Sequence, residues 1–405
     1  MLKTDVAIVG AGPAGLSLAA SLSGVGLNIT LLEQNELDSI ANPMPDGREI
    51  ALTHLSARLM KQSGAWQKIA DGGVSEINKA NVVDGDSDFT LNFDGRDKGL
   101  DALGYMVPNY LIRKACYEVV EDKDDVTLMD NVKVMSIDVN SEYSTVHLED
   151  GQKVEAKLVI GADSRFSATR RMMGISADMH DFGRSAIVCR MRHTKPHNGV
   201  ASECFHYGRT LAILPLQEYL ASVVITVKSL DAANVMNLSA DKFSEDVANR
   251  YGHGLGDMEL LGERYQYPLV AVHAKRFYAQ RFALVGDAAV GMHPVTAHGF
   301  NLGLRGQDTL AELVKDAFEN GQDIASETIL RKYHRTHWNV ARPLYLGTNG
   351  IVGLFTDDRP GAKLLRKGIL RLSSHIPPLK NLITRQLTEV ENRPLLADLL
   401  PGFRH

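Results

Sequence analysis

Six residues near the N-terminus, Gly10-Ala11-Gly12-Pro13-Ala14-Gly15, restrict the fold more than any other part of the chain. They follow the apolar run Asp5–Gly10 and open an Ala- and Leu-rich stretch, Pro13–Ser23, with helical spacing. The next apolar run, Asn28–Glu33, ends in an acid. Strand, glycine turn, helix and strand make a βαβ unit, which belongs in a parallel sheet. Gly10 permits the tight turn, Gly12 lets the backbone approach a pyrophosphate, and Gly15 lets helix and strand pack closely. Pro13 and Ala14 complete the motif at the helix start, where free N–H groups and a partial positive charge favour phosphate. Glu33 lies about twenty positions on, the spacing expected of a ribose partner. A ligand-free glycine turn would explain the glycines but not the strand, helix and acid around them.

Further apolar strands are expected at 158–161 and 282–286, far apart in the chain. Between them the pattern changes to short polar–apolar alternation, first near 77–105 and then over 185–272, which is the signature of antiparallel strands. A hairpin is expected over 132–148, and helices over 53–63, 108–121 and from about 299 onward. The expected architecture is α/β. It has a discontinuous Rossmann-like domain (1–75, 106–180 and 281–340), an inserted, mainly antiparallel substrate domain (76–105 and 181–280) and a helical C-terminal region (341–405), broken at Pro377-Pro378.

The 405 residues carry 44 basic and 49 acidic side chains, a net charge of -5. That balance disfavours nucleic acid as a partner. Three distant cysteines, Cys116, Cys189 and Cys204, support neither a disulfide framework nor a metal site. No secretory signal and no apolar run of membrane-spanning length is apparent, so a cytoplasmic location is expected.

Two later segments narrow the ligand by resemblance. Gly161-Ala162-Asp163-Ser164-Arg165-Phe166 through Arg170, and Gly286-Asp287-Ala288-Ala289 with His293-Pro294 and Gly299-Phe300-Asn301-Leu302-Gly303, resemble motifs of the FAD-dependent aromatic hydroxylases typified by para-hydroxybenzoate hydroxylase. Asp46–Leu52 and the 353–380 region resemble the ubiquinone-biosynthesis branch of that group. This chain differs at several positions: Ser164 replaces a common Gly, Val290 a His, Ala297-His298 a Gly-Gln, and Gly306 an Asp.

The resemblance implies FAD as cofactor, NAD(P)H as electron donor and O2 as co-substrate. A flavin C4a-hydroperoxide would transfer one oxygen to the ring of a polyprenylated phenol or quinol. It places Gly10, Gly12, Pro13, Ala14, Gly15, Glu33, Asp163, Gly286, Asp287, Pro294, Gly299, Phe300 and Asn301 at the cofactor. Arg48 is expected near the flavin, and Asn109 either contacts it or caps a helix. Asp287 can accept from a ribityl hydroxyl or cap the turn that follows it. Arg170 is expected to pair with a nearby carboxylate, and His293 to orient its loop.

Arg359, Lys363, Arg366, Lys367, Arg371, Lys380 and Arg385 alternate with leucines and no acids, which suits either an anionic membrane face or a packed or subunit-facing surface. The expected partners are therefore a lipid-soluble aromatic molecule and a peripheral membrane surface, with a homo-oligomer or quinone-synthesis complex left open. A reductase of the same fold and a non-catalytic flavin-binding subunit are the alternative functions.

Overall fold

The computed structural model describes residues 1–70, 73–84, 90–206, 209–294 and 298–356, with Thr384 and residues 388–390. The parallel sheet required by the glycine turn is present. Leu2–Val9 lies at its centre, flanked by Ile29–Leu32 and Val126–Met129 on one side and by Lys153–Gly161 and Phe282–Leu284 on the other. All four pairings are parallel. Three separated stretches of chain thus build one Rossmann-like sheet, with the other sheets inserted between them. The expected hairpin forms from Val134–Val139 and Ser144–Leu148 and joins the sheet through Lys153–Gly161.

The sheet is held by apolar burial. Val6, Ile8, Leu31, Leu158 and Ile160 are fully covered. They share one core with Leu16, Leu18 and Leu22 of helix Pro13–Leu22, Ile112 of Asn109–Val120, and Leu310 and Val314 of His298–Glu319. Each such side chain contributes about 1.5–3 kcal/mol on burial.

The second sheet has eight strands, from Val290–Gly291 through Met258–Ala274, Ala177–His193, Leu220–Lys228, Arg209–Pro215, Val200–His206 and Lys79–Asp84 to Thr90–Asp94. It is antiparallel except where Val200–His206 runs parallel to Lys79–Asp84. Side chains alternate across it. Ile187, Cys189, Leu211, Ile213, Val223 and Ile225 face a rear core closed by Phe243 and Val247 of helix Ala240–Arg250, which the sequence reading had not assigned. A three-stranded sheet, Glu49–Leu52, Gly104–Pro108 and Ser75–Ile77, supplies part of the cavity wall.

The C-terminal helix Glu327–Thr356 contains Pro343. Tyr333 anchors it by donating to the Leu284 carbonyl at 2.7 Å. His337 fits against Gly306 so closely that a Cβ there would stand 2.7 Å from the imidazole. The Pro377-Pro378 break, the basic 359–385 segment apart from Thr384, and Ala297 lie outside the described residues.

His273, His334 and His337 sit among Phe277, Tyr333, Trp338 and Tyr345, with His273 and Trp338 4.6 Å apart between ring centres. Burial, reinforced by nearby arginines, lowers the His273 pKa to about 4 and that of His337 to about 3. The unfolded chain binds these protons near pH 6.5. Folded-state stability from these groups is therefore complete above about pH 6.5 and falls as the pH drops toward 4, by about 1.4 kcal/mol per pH unit for each histidine. Thermal melts should show a midpoint that declines from pH 7 to pH 5, and His337→Phe should flatten the decline. An unaltered slope in the variant would remove His337 from this linkage.

Candidate active site

A cavity of ≈ 570 Å³ opens where the carboxyl ends of the parallel strands meet the eight-stranded sheet. Ala11, Glu33, Ala162 and Gly286, each just past a different parallel strand, line its floor. This edge of an open α/β sheet is where such folds bind ligands.

The glycine turn shapes one end. Gly10 has φ +106°, and a Cβ on it would lie 2.6 Å from the Ala162 oxygen. A Cβ on Gly15 would collide with the Gly10 carbonyl. These two residues pack the turn, whereas Gly12, Pro13 and Ala14 line the cavity. No side chain caps helix Pro13–Leu22, so its first N–H groups remain available to an anion. The Glu33 carboxylate accepts from Ala11 N at 2.7 Å and from Asn35 N and Nδ2 at 3.0 and 2.6 Å. An acid, a small turn and an open helix start suit the ribose and pyrophosphate of a dinucleotide.

Arg48, Asp46 and Asn109 form one network at the cavity wall. Arg48 binds Asp46 Oδ2 through Nε and Nη2 at 3.0 and 2.6 Å, and Asn109 Nδ2 donates to the same oxygen at 2.8 Å. Asn109 is the first residue of its helix, and its side chain makes this tertiary contact instead of capping. Burial opposes ionisation of Asp46, but these hydrogen bonds outweigh it and hold its pKa below the usual carboxylate range. Arg48 also lies 5.3 Å from the Tyr267 ring centre. Glu49, next in the chain, is almost fully covered and pairs with Arg190 at 2.8 Å, linking the three-stranded sheet to the eight-stranded one. Burial lifts its pKa to about 7 despite the arginine.

Against the glycine turn, Gly286 has φ +59°, and a Cβ there would come within 2.8 Å of Ala14. Asp287 follows it and pairs with Arg165 Nη2 at 3.0 Å. Arg165, also held by the Val270 carbonyl, lines the cavity and was not singled out in the sequence. Its signal there is only its place in the 161–170 segment. Pro294, Gly299 and Phe300 line the cavity.

Asp163 does not line it. Its carboxylate accepts from Ser167 Oγ, Thr169 N and Thr169 Oγ1 at 2.5–2.8 Å and fastens the following helix start. Asn301 likewise ties backbone to backbone, accepting from Thr53 N at 3.0 Å and donating to Ala51 O at 2.8 Å. Thr53 Oγ1 donates to Glu389 at 2.9 Å, a long-range contact with no sequence signal.

The expectations that Asp163 and Asn301 contact the cofactor are thus corrected, and so is that for Arg170. Arg170 donates to the carbonyls of Arg165 and Ala288 instead of pairing with a carboxylate, because its guanidinium is buried beneath the loop it supports. Ser164 has φ +68°, which accounts for the glycine at this position in the resembled motif. His293 packs edge-on against Phe182 and lines the cavity; burial, then Arg165 and Arg184, lowers its pKa to about 4. Among the described residues no His/Cys/Asp/Glu cluster could hold a metal, and all three cysteines are buried and free.

Comparison with known proteins agrees with this geometry. The FAD binding domain family matches residues 3–345. The chain belongs to this FAD-binding, aromatic-hydroxylase-like family. It is 49% identical to ubiquinone hydroxylase UbiM of Neisseria meningitidis over 391 residues, covering 96% of this chain and 85% of that protein. It is 32% identical to ubiquinone hydroxylase UbiL of Rhodospirillum rubrum, covering 94% and 88%. Its fold is similar to that of p-nitrophenol 4-monooxygenase PnpA from Pseudomonas putida, with a TM-score of 0.76, 18% identity and 100% of both chains covered. The chain is an FAD-dependent oxidoreductase related to aromatic and ubiquinone hydroxylases.

Glu33 and Asp287 can be separated experimentally from mere support of the fold. Glu33→Ala should weaken FAD binding about tenfold to a hundredfold, the loss of a charged acceptor worth ~1.5–3 kcal/mol. Fluorescence titration of the apoprotein measures this, and an unchanged dissociation constant would remove Glu33 from the cofactor site. Asp287→Asn breaks a partly exposed ion pair, so the apoprotein should lose less than ~1 kcal/mol. Its FAD affinity should nevertheless fall. A destabilised protein with normal affinity would make Asp287 only a partner for Arg165.

Proposed function

We propose that the protein hydroxylates the aromatic ring of a polyprenylated phenol or quinol in ubiquinone biosynthesis, with FAD as cofactor, NAD(P)H as donor and O2 as co-substrate. The observation that carries the reading is the two-sided cavity. Its floor is a polar dinucleotide cradle, and its roof is a mainly apolar sheet face with Phe205, Ala212, Leu214 and Val224. Beside that roof, Phe205 joins an apolar cluster with Ile77, Leu91, Phe93 and Met106. A flat ring with an apolar tail suits that surface, and the similarity to two ubiquinone hydroxylases supports it.

The chemistry supplied by bound FAD is two-electron reduction by a nicotinamide and activation of dioxygen, one oxygen atom entering the ring and the other leaving as water. The protein's own residues bind and orient. Gly12 and the helix start would receive the pyrophosphate, while Glu33 would receive ribose hydroxyls. Asp287, steadied by Arg165, would accept from the ribityl chain. Arg48, fixed by Asp46 and Asn109, presents a cation at the wall. The roof excludes water, which protects the activated oxygen from unproductive loss. Among the described residues no helix is long and apolar enough to cross a membrane. The basic 359–385 segment would bring the enzyme to a lipid-dissolved substrate by charge, at about 1 kcal/mol for each basic residue near an anionic surface.

The test is turnover under 18O2 with NADH or NADPH and a short-chain 2-prenylphenol. One 18O should enter the ring product, with oxygen uptake matching product formed. Oxidation or reduction of the substrate without label would assign the protein to the dehydrogenases or reductases. FAD retention without any turnover would leave it a binding subunit.

A further inference from the structure

We propose that Glu203 is a catalytic residue, the base that takes the proton from the ring hydroxyl of the substrate. The inference rests on the hydroxylase reading and names the group that makes the ring reactive.

Glu203 stands in the roof. Val82, Glu203, Ala212, Val224 and Val188 are successive register partners across five strands, so a carboxyl interrupts an otherwise apolar row. Its chain neighbours face the rear, with Ser202 Oγ 2.9 Å from Tyr251 Oη and Cys204 in the rear core. Glu203 lines the cavity beside Phe205, Ala212 and Val224, with the hydroxyl-bearing Thr210 and Thr226 nearby.

What sets Glu203 apart is that nothing answers it. The other acids that line the cavity have partners: Glu33 has Ala11 and Asn35, Glu49 has Arg190, and Asp287 has Arg165. Among the described residues Glu203 has neither a hydrogen-bond donor nor a cation. Burying a carboxyl without a partner is costly, and a group kept so in a cavity marks a functional site.

Burial alone raises its pKa to about 8. The charged groups on adjoining strands are engaged elsewhere, Lys79 with Asp94 and Arg209 with Asp246. The Cys204 thiol beside it is pushed up to about 11, by burial and then by Glu203 itself. On the rest of the cavity wall, Arg48 is held by Asp46, Arg165 by Asp287, Glu49 by Arg190, and Arg113 by the Ser39 carbonyl; buried His293 is neutral at neutral pH.

A phenol loses its proton near pH 10, so an ordinary carboxylate is about six pH units too weak a base. Glu203 is within about two units of it, the closer match that general-base catalysis favours. The ring O–H bond breaks, its electron pair stays on the ring oxygen, and the proton forms a new O–H bond on Glu203. The ring becomes richer in electrons at its ortho and para carbons, where electrophilic oxygen attacks. The proton leaves to solvent with the product. Because the reactive form is the carboxylate, kcat/KM should rise with pH and level off near pH 8.

The test compares wild type and Glu203→Gln as FAD holoenzymes in two ways. In binding, followed by the flavin absorbance change, wild type should prefer 4-methylphenol over 4-methylanisole increasingly between pH 6.5 and 9, by about tenfold at the upper end. The variant should show no such pH dependence. In turnover of a short-chain 2-prenylphenol, Glu203→Gln should lower kcat about a hundredfold and abolish the limb near pH 8. KM, FAD content and melting temperature should stay close to wild type, and Glu203→Asp should regain part of the rate. A variant that keeps the limb and a kcat within twofold overturns the proposal, as does a wild-type preference that does not titrate. If no phenol is hydroxylated by either protein, the hydroxylase reading fails, while the binding comparison still decides whether Glu203 exchanges a proton with the ring hydroxyl.

Discussion

The tightest constraint on this fold is an approach between two backbones. The Gly10 carbonyl occupies the place where any side chain on Gly15 would begin, and Gly10 itself presses on Ala162. Because the turn closes so sharply, helix Pro13–Leu22 starts directly at the strand edge with its first N–H groups open to the cavity. Gly286 repeats the device from far along the chain by meeting Ala14. The dinucleotide cradle is thus made by what is absent from these residues, and the strands of the parallel sheet hold those absences in register.

The second sheet meets the first across a chemical divide. Its rear face is an ordinary apolar core, while its front face closes the cavity over the polar floor. Glu49, almost out of water, and the partly exposed Arg190 tie the three-stranded wall to this roof. Such a pair is weak evidence of stability, since desolvation offsets much of the attraction. Its value is positional: it fixes the wall against the roof.

Much of this was legible in the sequence. The glycine turn, the acid after the second strand and the buried run before Gly286 are local patterns with few structural solutions, so the parallel sheet and its ligand edge could be read directly. Residues whose roles depend on distant partners were less legible. Asp163 was placed at the cofactor by its motif resemblance alone, yet three donors at the start of the next helix occupy it. Asn301 holds the backbone of a single segment, Ala51 to Thr53, from 248 to 250 positions away. Arg165 becomes part of the wall only when the strand before Asp287 is laid beside its own. Glu203 had no sequence signature, because an acid in a strand becomes unusual only when its five-strand row is assembled.

The pairing of Gly306 with His337 has a consequence for the history of the family. Where this chain has glycine the resembled motif often has aspartate, and here the imidazole fills the space that its Cβ would need. A small residue at 337 can accept either neighbour, but His337 can accept only glycine without displacement. The two positions therefore form an epistatic pair with a preferred order of change. A lineage passing from glycine to aspartate must give up the histidine first, and transplanting either residue alone into a relative exchanges half of a two-residue unit.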